Sequence, residues 1–365
     1  MEDWLASYKD DSRYNLGESG MPDITVARLL ELSGESMDSL ANIVLKDHDT
    51  RGTERLRRAI CDSYDGDVPF KNICVATGTS EALFILFNLL LGAGKSAVVP
   101  MPSFQALYDV PKATGAELRP YRVDSGNSFK PEADAICCLI DSTTGVVVIN
   151  SPHNPSGVIL PQKTVDAVIE CADHHGATVI SDEHYRYLPL DESAPLKTHY
   201  CSDAPIIATG SITKCFGLIG LRVGWIAAPE SLIERFRDYR DYLTHTLSPV
   251  SDYLAAIALE NRADFLDDHI QLLRKNRQTL VDMVAVTPGL SMETPEGGIV
   301  AFPRYEYEIS TEDFVRGLVD RHGVFVLPGS GFETERAFRV NLGQVADAFS
   351  EAMGYIHEYC LSLHS

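Results

Sequence analysis

One lysine of this chain has the surroundings of a reactive amine. Lys214 lies in a turn rich in serine, threonine and glycine, directly after an apolar run, 205–210, that is typical of a buried strand. An ε-amine held away from water loses its proton more easily and becomes a nucleophile toward carbonyl carbons, which is the chemistry of Schiff-base enzymes. Ser211 and Arg222 flank the lysine, and both could reach one phosphate group. Because an isolated lysine in a turn is usually structural, this hypothesis depends on the rest of the chain.

A second candidate phosphate site lies at a predicted helix start. The apolar strand 73–76 is followed by a glycine between hydroxyl residues, and a long apolar helix begins there. Free backbone N–H groups at Gly78, Thr79 and Ser80, together with the positive end of the helix dipole, favour an anion. The same residues could also serve only as a helix cap.

Further candidate residues follow the predicted strands. Phe104 comes after the strand 96–100, and Asn154 lies between two prolines that hold its amide rigidly. Asp182 ends a buried apolar strand, and Tyr185 follows three residues later. A carboxylate in that position needs a cation or a hydrogen-bond donor, unless it caps a helix. Ligands bind at the carboxyl ends of the strands in open α/β sheets, so these side chains are candidates for one site.

The chain pattern predicts an α/β fold. Strands alternate with helices as far as residue 229, which favours βαβ units and a mostly parallel sheet. A helical stretch and a mixed α+β segment follow. We expect an N-terminal arm at 1–45 that forms part of a small domain, a large ligand-binding domain at 46–245, and a linking helix with the C-terminal small domain at 246–365.

Composition and charge exclude several classes of protein. The chain has 365 residues, of which 45% are hydrophobic, enough for a large core. Its 52 acidic and 31 basic residues give a formal charge of -21, which repels nucleic acid. The eight cysteines lack the spacing of a zinc site, so no metal is expected. No apolar run could cross a bilayer and the start lacks a basic signal-peptide region, so we expect a cytoplasmic protein without membrane or nucleic-acid partners.

The order of these residues resembles the class I and II aminotransferases, enzymes of pyridoxal phosphate (PLP) fold type I. The resemblance covers nearly the whole chain and implies a large domain with a mostly parallel seven-stranded sheet between helices, a small α+β domain, and a homodimer with a shared active site. It implies that Lys214 binds the cofactor covalently and shuttles protons at the substrate, and that Asp182 pairs with the pyridinium nitrogen.

The same resemblance implies the remaining contacts. Tyr185, also counted as catalytic, and Asn154 would hydrogen-bond the phenolic oxygen of the cofactor ring, and Phe104 would stack on that ring. The residues implied to hold the phosphate are Gly78, Thr79, Ser80, Ser211 and Arg222. Arg339, in Phe-Arg-Val-Asn, corresponds to the arginine that binds the substrate carboxylate, with Asn154 beside it.

One segment departs from the pattern of the family. Lys46-Asp-His-Asp49 stands where a tyrosine of a partner subunit usually reaches the phosphate, so that contact stays open. This segment, with Glu2-Asp-Trp4 and the stretch 14–20, resembles capreomycidine synthase and the enduracididine-forming cyclases of natural-product biosynthesis. That resemblance implies loss of water from a hydroxylated arginine and ring closure by its guanidine group.

A site for a guanidinium group needs carboxylates. Glu18 and Asp23 lie in the N-terminal arm, which covers the mouth of the site in this fold, and Asp49 lies in the substituted segment. An isolated acid in such a segment is more often a solvated loop residue, but acids occur in both segments that form the mouth, so we expect these three among the substrate-binding residues.

Three other functions stay open. The first is an ordinary amino-acid aminotransferase with a keto-acid acceptor. The second is a C–S β-lyase, which shares the sequence Pro-His-Asn-Pro. The third, a non-catalytic relative that binds PLP or an effector and regulates a partner, is disfavoured because the lysine and its supporting residues are all present.

Overall fold

The computed structural model describes residues 1–64, 67–191, 196–345 and 348–364. The α-helices are α1 (Glu2–Tyr8), α2 (Val26–Leu32), α3 (Met37–Ala41), α4 (Glu54–Asp62), α5 (Thr79–Leu90), α6 (Ala106–Ala113), α7 (Ala133–Cys137), α8 (Gln162–His175), α9 (Glu230–Arg240), α10 (Pro249–Glu260), α11 (Arg262–Val286), α12 (Thr311–His322) and α13 (Phe349–His364). The strands are β1 (Tyr14–Asn15), β2 (Ile73–Ala76), β3 (Ser96–Met101), β4 (Glu117–Arg122), β5 (Thr144–Asn150), β6 (Thr178–Asp182), β7 (Ile206–Ser211), β8 (Gly224–Ala227), β9 (Leu290–Ser291), β10 (Val300–Ala301), β11 (Arg304–Tyr305), β12 (Val324–Phe325), β13 (Leu327–Pro328) and β14 (Phe338–Asn341).

Seven strands form one central sheet, in the order β2-β8-β7-β6-β5-β3-β4. The neighbours from β7 to β4 run parallel, whereas β8 is antiparallel to both β2 and β7. The predicted α/β class with a mostly parallel seven-stranded sheet is therefore confirmed.

Helices cover both faces of this sheet. Val146 and Val148 of β5 pack into a cluster that includes side chains of α5, α6 and α9, while Val147 and Ile149 belong to the cluster on the opposite face. Both sets of β5 side chains are buried because neighbouring residues of a strand point to opposite faces. Each such side chain contributes about 1.5–3 kcal/mol when it is fully buried, which holds the strand ends in place.

The carboxyl ends of β5, β6 and β7 meet at one edge of the sheet. Asn150 pairs with Asp182, and Asp182 pairs with Thr209, so three polar residues lie side by side near the carboxyl ends of these strands. The turn that carries Lys214 begins directly after the last residue of β7. This edge therefore gathers the residues that the sequence indicated for chemistry.

The start of the chain is joined to its C-terminal region. Strand β1 pairs in parallel with β12, and the N–H groups of Tyr14 and Leu16 donate to carbonyl oxygens of Gly323 and Phe325. A three-stranded sheet, β10-β14-β13, lies in the same region and contacts α12. The division into an arm at 1–45, a large domain at 46–245 and a small domain at 246–365 stays a prediction.

Helix α1 lies on the surface of this region. All seven of its residues are at least partly exposed. Trp4 stacks on Tyr8 with the ring centroids 5.4 Å apart, and Tyr8 contacts the ring of Phe325 at 5.5 Å. These aromatic contacts place Glu2 and Asp3 over the carboxyl edge of the central sheet.

None of the described helices combines the length and the apolarity needed to cross a membrane.

Candidate active site

A cavity of about 570 Å³ opens at the carboxyl edge of the central sheet. The predicted site residues that line it are Glu18, Thr79, Ser80, Phe104, Asn154, Asp182, Tyr185, Lys214, Arg222 and Arg339. Gly78 and Ser211 lie behind this lining, next to Arg222 and Thr213 respectively. The structure thus brings together residues that are as far apart in sequence as Glu18 and Arg339.

Lys214 is partly exposed to this cavity. Burial lowers the pKa of its amine from the ordinary value of 10.5 to about 8. The positive charges of Arg339 and Arg222 lower the pKa as well, while the carboxylates of Glu18 and Glu2 act in the opposite direction. An appreciable fraction of the amine is therefore unprotonated near neutral pH, as a nucleophile toward a carbonyl carbon requires.

Asp182 is a buried carboxyl group at the end of β6. Its Oδ1 accepts a hydrogen bond from Thr209 Oγ1 at 2.9 Å, and its Oδ2 accepts one from Asn150 Nδ2 at 3.3 Å. Burial raises its pKa to about 6. Among the described residues, no lysine, arginine or histidine forms an ion pair with it. A bound cationic N–H group would relieve this uncompensated charge.

The start of α5 forms an anion cradle, by which we mean Gly78, Thr79, Ser80 and Arg222. Gly78 precedes the helix with a φ of 80°, so the N–H groups of Thr79 and Ser80 lie at the open end of the helix. The guanidinium of Arg222 lies against Gly78, since a Cβ added there would be 2.7 Å from Arg222 Nη2. Peptide N–H groups, the helix dipole and a guanidinium together suit a phosphate group.

Arg339 is buried in β14, with 1% of its surface exposed. Its Nη1 donates to Asn154 Oδ1 at 3.1 Å and its Nη2 donates to the carbonyl oxygen of Gly17 at 2.7 Å. Its Nε has no hydrogen-bond partner in the part of the chain that the structure describes. Burial lowers the pKa of the guanidinium to about 10, so it keeps its charge at neutral pH. A buried cation with an unused N–H group beside a cavity suits a carboxylate.

Tyr185 and Phe104 complete the predicted set. The Tyr185 hydroxyl donates to the carbonyl oxygen of Ser19 at 3.2 Å, and burial raises its pKa to about 12, which keeps it a neutral donor. Phe104 lines the cavity with a half-buried ring. Their predicted contacts with a cofactor ring stay predictions.

Of the three acids predicted to bind a guanidinium, the structure brings Glu18 to the cavity. Its Oε2 accepts a hydrogen bond from Asn15 Nδ2 at 3.0 Å. Asp23 and Asp49 do not line the cavity, and Asp49 instead accepts hydrogen bonds from Arg51, which lower the pKa of its carboxyl group. Within one chain these two acids therefore lie outside the cavity, and their contact with a substrate stays a prediction.

The structure adds residues that sequence reasoning did not indicate. Glu2 and Asp3 line the cavity from α1, and His184 and Thr213 line it beside Lys214. His184 lies two residues after the end of β6, and this position was a signal that could have indicated it. No local pattern in the sequence indicates where α1 docks.

Known proteins resemble this chain in sequence and in fold. The family model for class I and II aminotransferases matches residues 26–353. Capreomycidine synthase of Streptomyces vinaceus is 30% identical over 343 residues, which cover 93% of this chain and 88% of that protein. Arginine–pyruvate transaminase AruH of Pseudomonas aeruginosa is 30% identical over 358 residues, 94% of this chain and 90% of that protein. The crystal structure of the PLP-dependent cyclase OrfR superposes with a TM-score of 0.91 at 25% identity, covering 99% of this chain and 96% of that chain.

Proposed function

Because the chain belongs to the class I and II aminotransferase family, we propose that it removes water from a hydroxylated arginine and closes it to a cyclic guanidino amino acid. It is a pyridoxal-phosphate-dependent enzyme with the aminotransferase fold. Two relatives at 30% identity support the proposal: one is named as capreomycidine synthase, and the name of the other contains arginine as its amino-acid substrate.

The residues of the cavity fit PLP. The buried carboxyl of Asp182, which forms no ion pair with any residue that the structure describes, would hold the protonated pyridine nitrogen. The anion cradle would hold the phosphate group. Lys214, whose pKa is lowered to about 8, would bind the aldehyde carbon.

When bound, PLP supplies an electron-accepting ring that stabilises negative charge on the substrate α-carbon. Arg339, which lines the cavity, would hold the substrate carboxylate through its guanidinium group. The substrate amino group would displace Lys214 from the aldehyde carbon, and the freed Nζ amine would then take the proton of the α-carbon as a general base. The same amine can then donate a proton to the oxygen of the departing hydroxyl group, so that water leaves.

We expect Gly78→Ala to weaken PLP binding. The new Cβ would lie 2.7 Å from Arg222 Nη2, and a φ of 80° is strained for alanine. Disturbing a charge-assisted hydrogen bond costs about 1.5–3 kcal/mol, which is roughly a 10- to 100-fold loss of affinity.

Titration of the apo-protein with PLP, followed by absorbance, measures this loss. Gly176→Ala is the matched control, because Gly176 has a φ of 70° and no atom within 4 Å of an added Cβ. Both variants should lose some stability through backbone strain, but only the change at Gly78 should reduce the affinity for PLP. Equal affinities in the two variants would contradict the assignment of the anion cradle.

The proposed substrate follows from three acidic residues that line the cavity, Glu2, Asp3 and Glu18, which we call the acidic wall. The acidic wall lines the same cavity as Lys214 and Arg339, and Lys9 of the same N-terminal arm lines it as well. Glu2 and Glu18 are near enough to influence the pKa of Lys214, although both belong to the N-terminal arm. An amino acid held at its carboxylate by the buried arginine would therefore meet carboxylates beyond it, which favours a cationic side chain such as a guanidinium.

Replacing Glu18 by glutamine should weaken the binding of arginine about tenfold, because a hydrogen bond to a charged group contributes about 1.5–3 kcal/mol. The binding of citrulline, in which a neutral urea group replaces the guanidinium, should change little. Spectral titration of the holoenzyme with both amino acids measures the difference. Asp11→Asn, an exposed acid of the same arm that does not line the cavity, is the control. If Glu18→Gln weakened the binding of arginine and citrulline equally, Glu18 would not bind the guanidinium group.

A second candidate function is amino transfer, since one of the relatives at 30% identity is a transaminase. The two functions differ in their need for a co-substrate. We expect the holoenzyme, without any keto acid, to convert an arginine hydroxylated at its third or fourth carbon into a product lighter by one water that retains its amino group. Mass spectrometry of the products decides the question, and conversion that occurs only with an added keto acid would assign the protein as an aminotransferase.

We also propose that two copies of the chain form a homodimer with shared active sites. Val44, Leu45 and Tyr242 expose 68%, 78% and 91% of their surfaces, and large exposed apolar side chains favour burial against a second copy. The hydrogen bond from Thr50 Oγ1 to Asp241 Oδ1, at 2.7 Å, brings the segments that carry these side chains together. Sedimentation that showed only monomers at micromolar concentration would overturn the dimer.

A further inference from the structure

We propose that His184 is a positioning residue that turns hydroxyl groups at the anion cradle toward the phosphate of the cofactor. The imidazole lines the cavity beside Lys214, and the carbonyl oxygen of His184 accepts a hydrogen bond from Cys215 Sγ at 3.4 Å. The proposal rests on the proposed assignment of the cavity to PLP, but it does not depend on which amino acid the enzyme converts.

The imidazole lies at the centre of a chain of hydroxyl groups. Its Nδ1 is 3.1 Å from Ser211 Oγ and 3.3 Å from Thr79 Oγ1. Ser211 Oγ lies 2.9 Å from Thr213 Oγ1 and also accepts the backbone N–H of Thr213 at 3.3 Å. Thr79 and Thr213 line the cavity, whereas Ser211 lies behind them. His184 therefore connects the helix start of the cradle to the turn that carries Lys214.

The donor capacity of a hydroxyl group limits how this chain can be arranged. A serine hydroxyl donates one hydrogen bond and accepts two. If His184 Nδ1 carries the proton, Ser211 accepts from Nδ1–H and from the Thr213 N–H, so its own hydrogen points to Thr213 Oγ1. The hydroxyl hydrogen of Thr213 is then free to point into the cavity.

The other tautomer of His184 reverses the direction of these hydrogen bonds. If Nδ1 carries no proton, Ser211 donates to Nδ1 and accepts from Thr213, whose hydroxyl hydrogen then points away from the cavity. Bound phosphate needs donors, so it favours the first arrangement, in which each hydrogen bond also polarises the next. The imidazole thereby helps to keep Thr213 and Thr79 available as donors to the phosphate.

The burial of the imidazole and the charges around it favour its neutral form. Burial, together with the positive charges of Lys214 and Arg222, lowers the pKa of His184 to about 3. Its ring meets the ring of Tyr185 edge-on, with the centroids 5.3 Å apart. A neutral imidazole carries its proton on one nitrogen and a lone pair on the other, so a bound ligand can determine which nitrogen is protonated.

Two substitutions separate this role from simple packing. His184→Phe keeps a ring but has no nitrogen, whereas His184→Asn keeps an N–H donor near the position of Nδ1. We expect His184→Phe to lower the affinity of the apo-protein for PLP about tenfold and to leave its affinity for pyridoxal, which lacks the phosphate, unchanged. His184→Asn should resemble the wild type with both ligands. Equilibrium titration with PLP and with pyridoxal measures the ratio of the two affinities.

Thr213→Val tests whether His184 acts on the phosphate through the hydrogen bonds that lead from Ser211 to Thr213. Because His184 and Thr213 act on the phosphate through the same hydrogen bonds, the double variant with His184→Phe should bind PLP no more weakly than the weaker single variant. If the losses of PLP affinity in the two single variants multiplied in the double variant, the two residues would not act through the same hydrogen bonds.

The outcomes also separate this proposal from the proposed function. An equal loss of affinity for PLP and pyridoxal in His184→Phe, or no loss for either, would overturn the role of His184 while leaving the cofactor site in place. A wild-type protein that bound pyridoxal as tightly as PLP would instead refute the anion cradle, and the role of His184 with it.

Discussion

A Lys214→Ala variant should turn over its substrate about four orders of magnitude more slowly than the wild type. Lys214 Nζ is the amine that the turn after β7 presents to the cavity, and burial lowers its pKa to about 8. The substitution removes both the nucleophile that binds the aldehyde of PLP and the general base beside the substrate α-carbon. Its alanine side chain fits where the lysine side chain lay, so the fold should be retained.

Absorbance and steady-state turnover test this prediction together. The wild type should show an absorbance band of the lysine–cofactor linkage that the variant lacks, and a small primary amine added to the variant should restore part of the turnover. Lys163→Ala, an exposed lysine of α8, is the control and should behave as the wild type. If Lys214→Ala kept the band and the turnover, the cofactor site would lie elsewhere.

Asp182→Asn should reduce turnover by roughly 10²- to 10⁴-fold, because removing one partner of a buried ion pair costs about 3–5 kcal/mol. The neutral amide keeps the size of the side chain and can still hydrogen-bond Thr209, but it no longer favours a protonated ring nitrogen. Steady-state kinetics of the holoenzyme measure this loss. Wild-type turnover in the variant would contradict the role of Asp182.

The same substitution should stabilise the apo-protein at neutral pH. The folded pKa of Asp182 is raised from 3.8 to about 6, so the stability that its proton provides is present below pH 3.8 and is lost as the pH rises through 6. This shift corresponds to about 3 kcal/mol at neutral pH. Urea unfolding of apo wild type and apo Asp182→Asn, each at pH 4 and pH 7, should show the variant gaining relative stability at pH 7. Asp173→Asn, an exposed acid, is the control, and a variant less stable than the wild type at pH 7 would contradict the assigned burial cost.

Much of the cavity could be predicted because its residues follow strands. Asp182 ends an apolar strand and Lys214 lies just after another, and parallel strands that pair in register must bring their carboxyl ends together. The apolar runs made these strands recognisable from the sequence. By contrast, β4 is largely exposed and polar, so it offered no apolar run to read.

The acidic wall could be predicted only in part, for a physical reason. Glu2 and Asp3 reach the cavity because the aromatic residues of α1 dock on a strand more than three hundred residues away in the chain. Asp49, which the sequence also indicated, is held by Arg51, only two residues away. The sequence is equally compatible with a local ion pair of Asp49 and with a contact between Asp49 and a substrate. Only the structure distinguishes these two possibilities.

The position of His184 shows a similar limit. Its residue type after a strand end was visible, but its hydrogen-bond partner Ser211 lies 27 residues further on, at the end of a different strand. The neighbourhood that makes this imidazole neutral arises only when the two strands lie side by side.

The fate of the substrate α-amino nitrogen tests the proposed function most directly. A hydroxyarginine that carries an isotopically labelled α-amino group would be incubated with the holoenzyme and a keto acid, and the label would be followed by mass spectrometry. We predict that the label stays in a cyclic product lighter than the substrate by one water. Label found in a new amino acid made from the keto acid would contradict this account in favour of amino transfer, and label released as ammonia would contradict it in favour of a lyase.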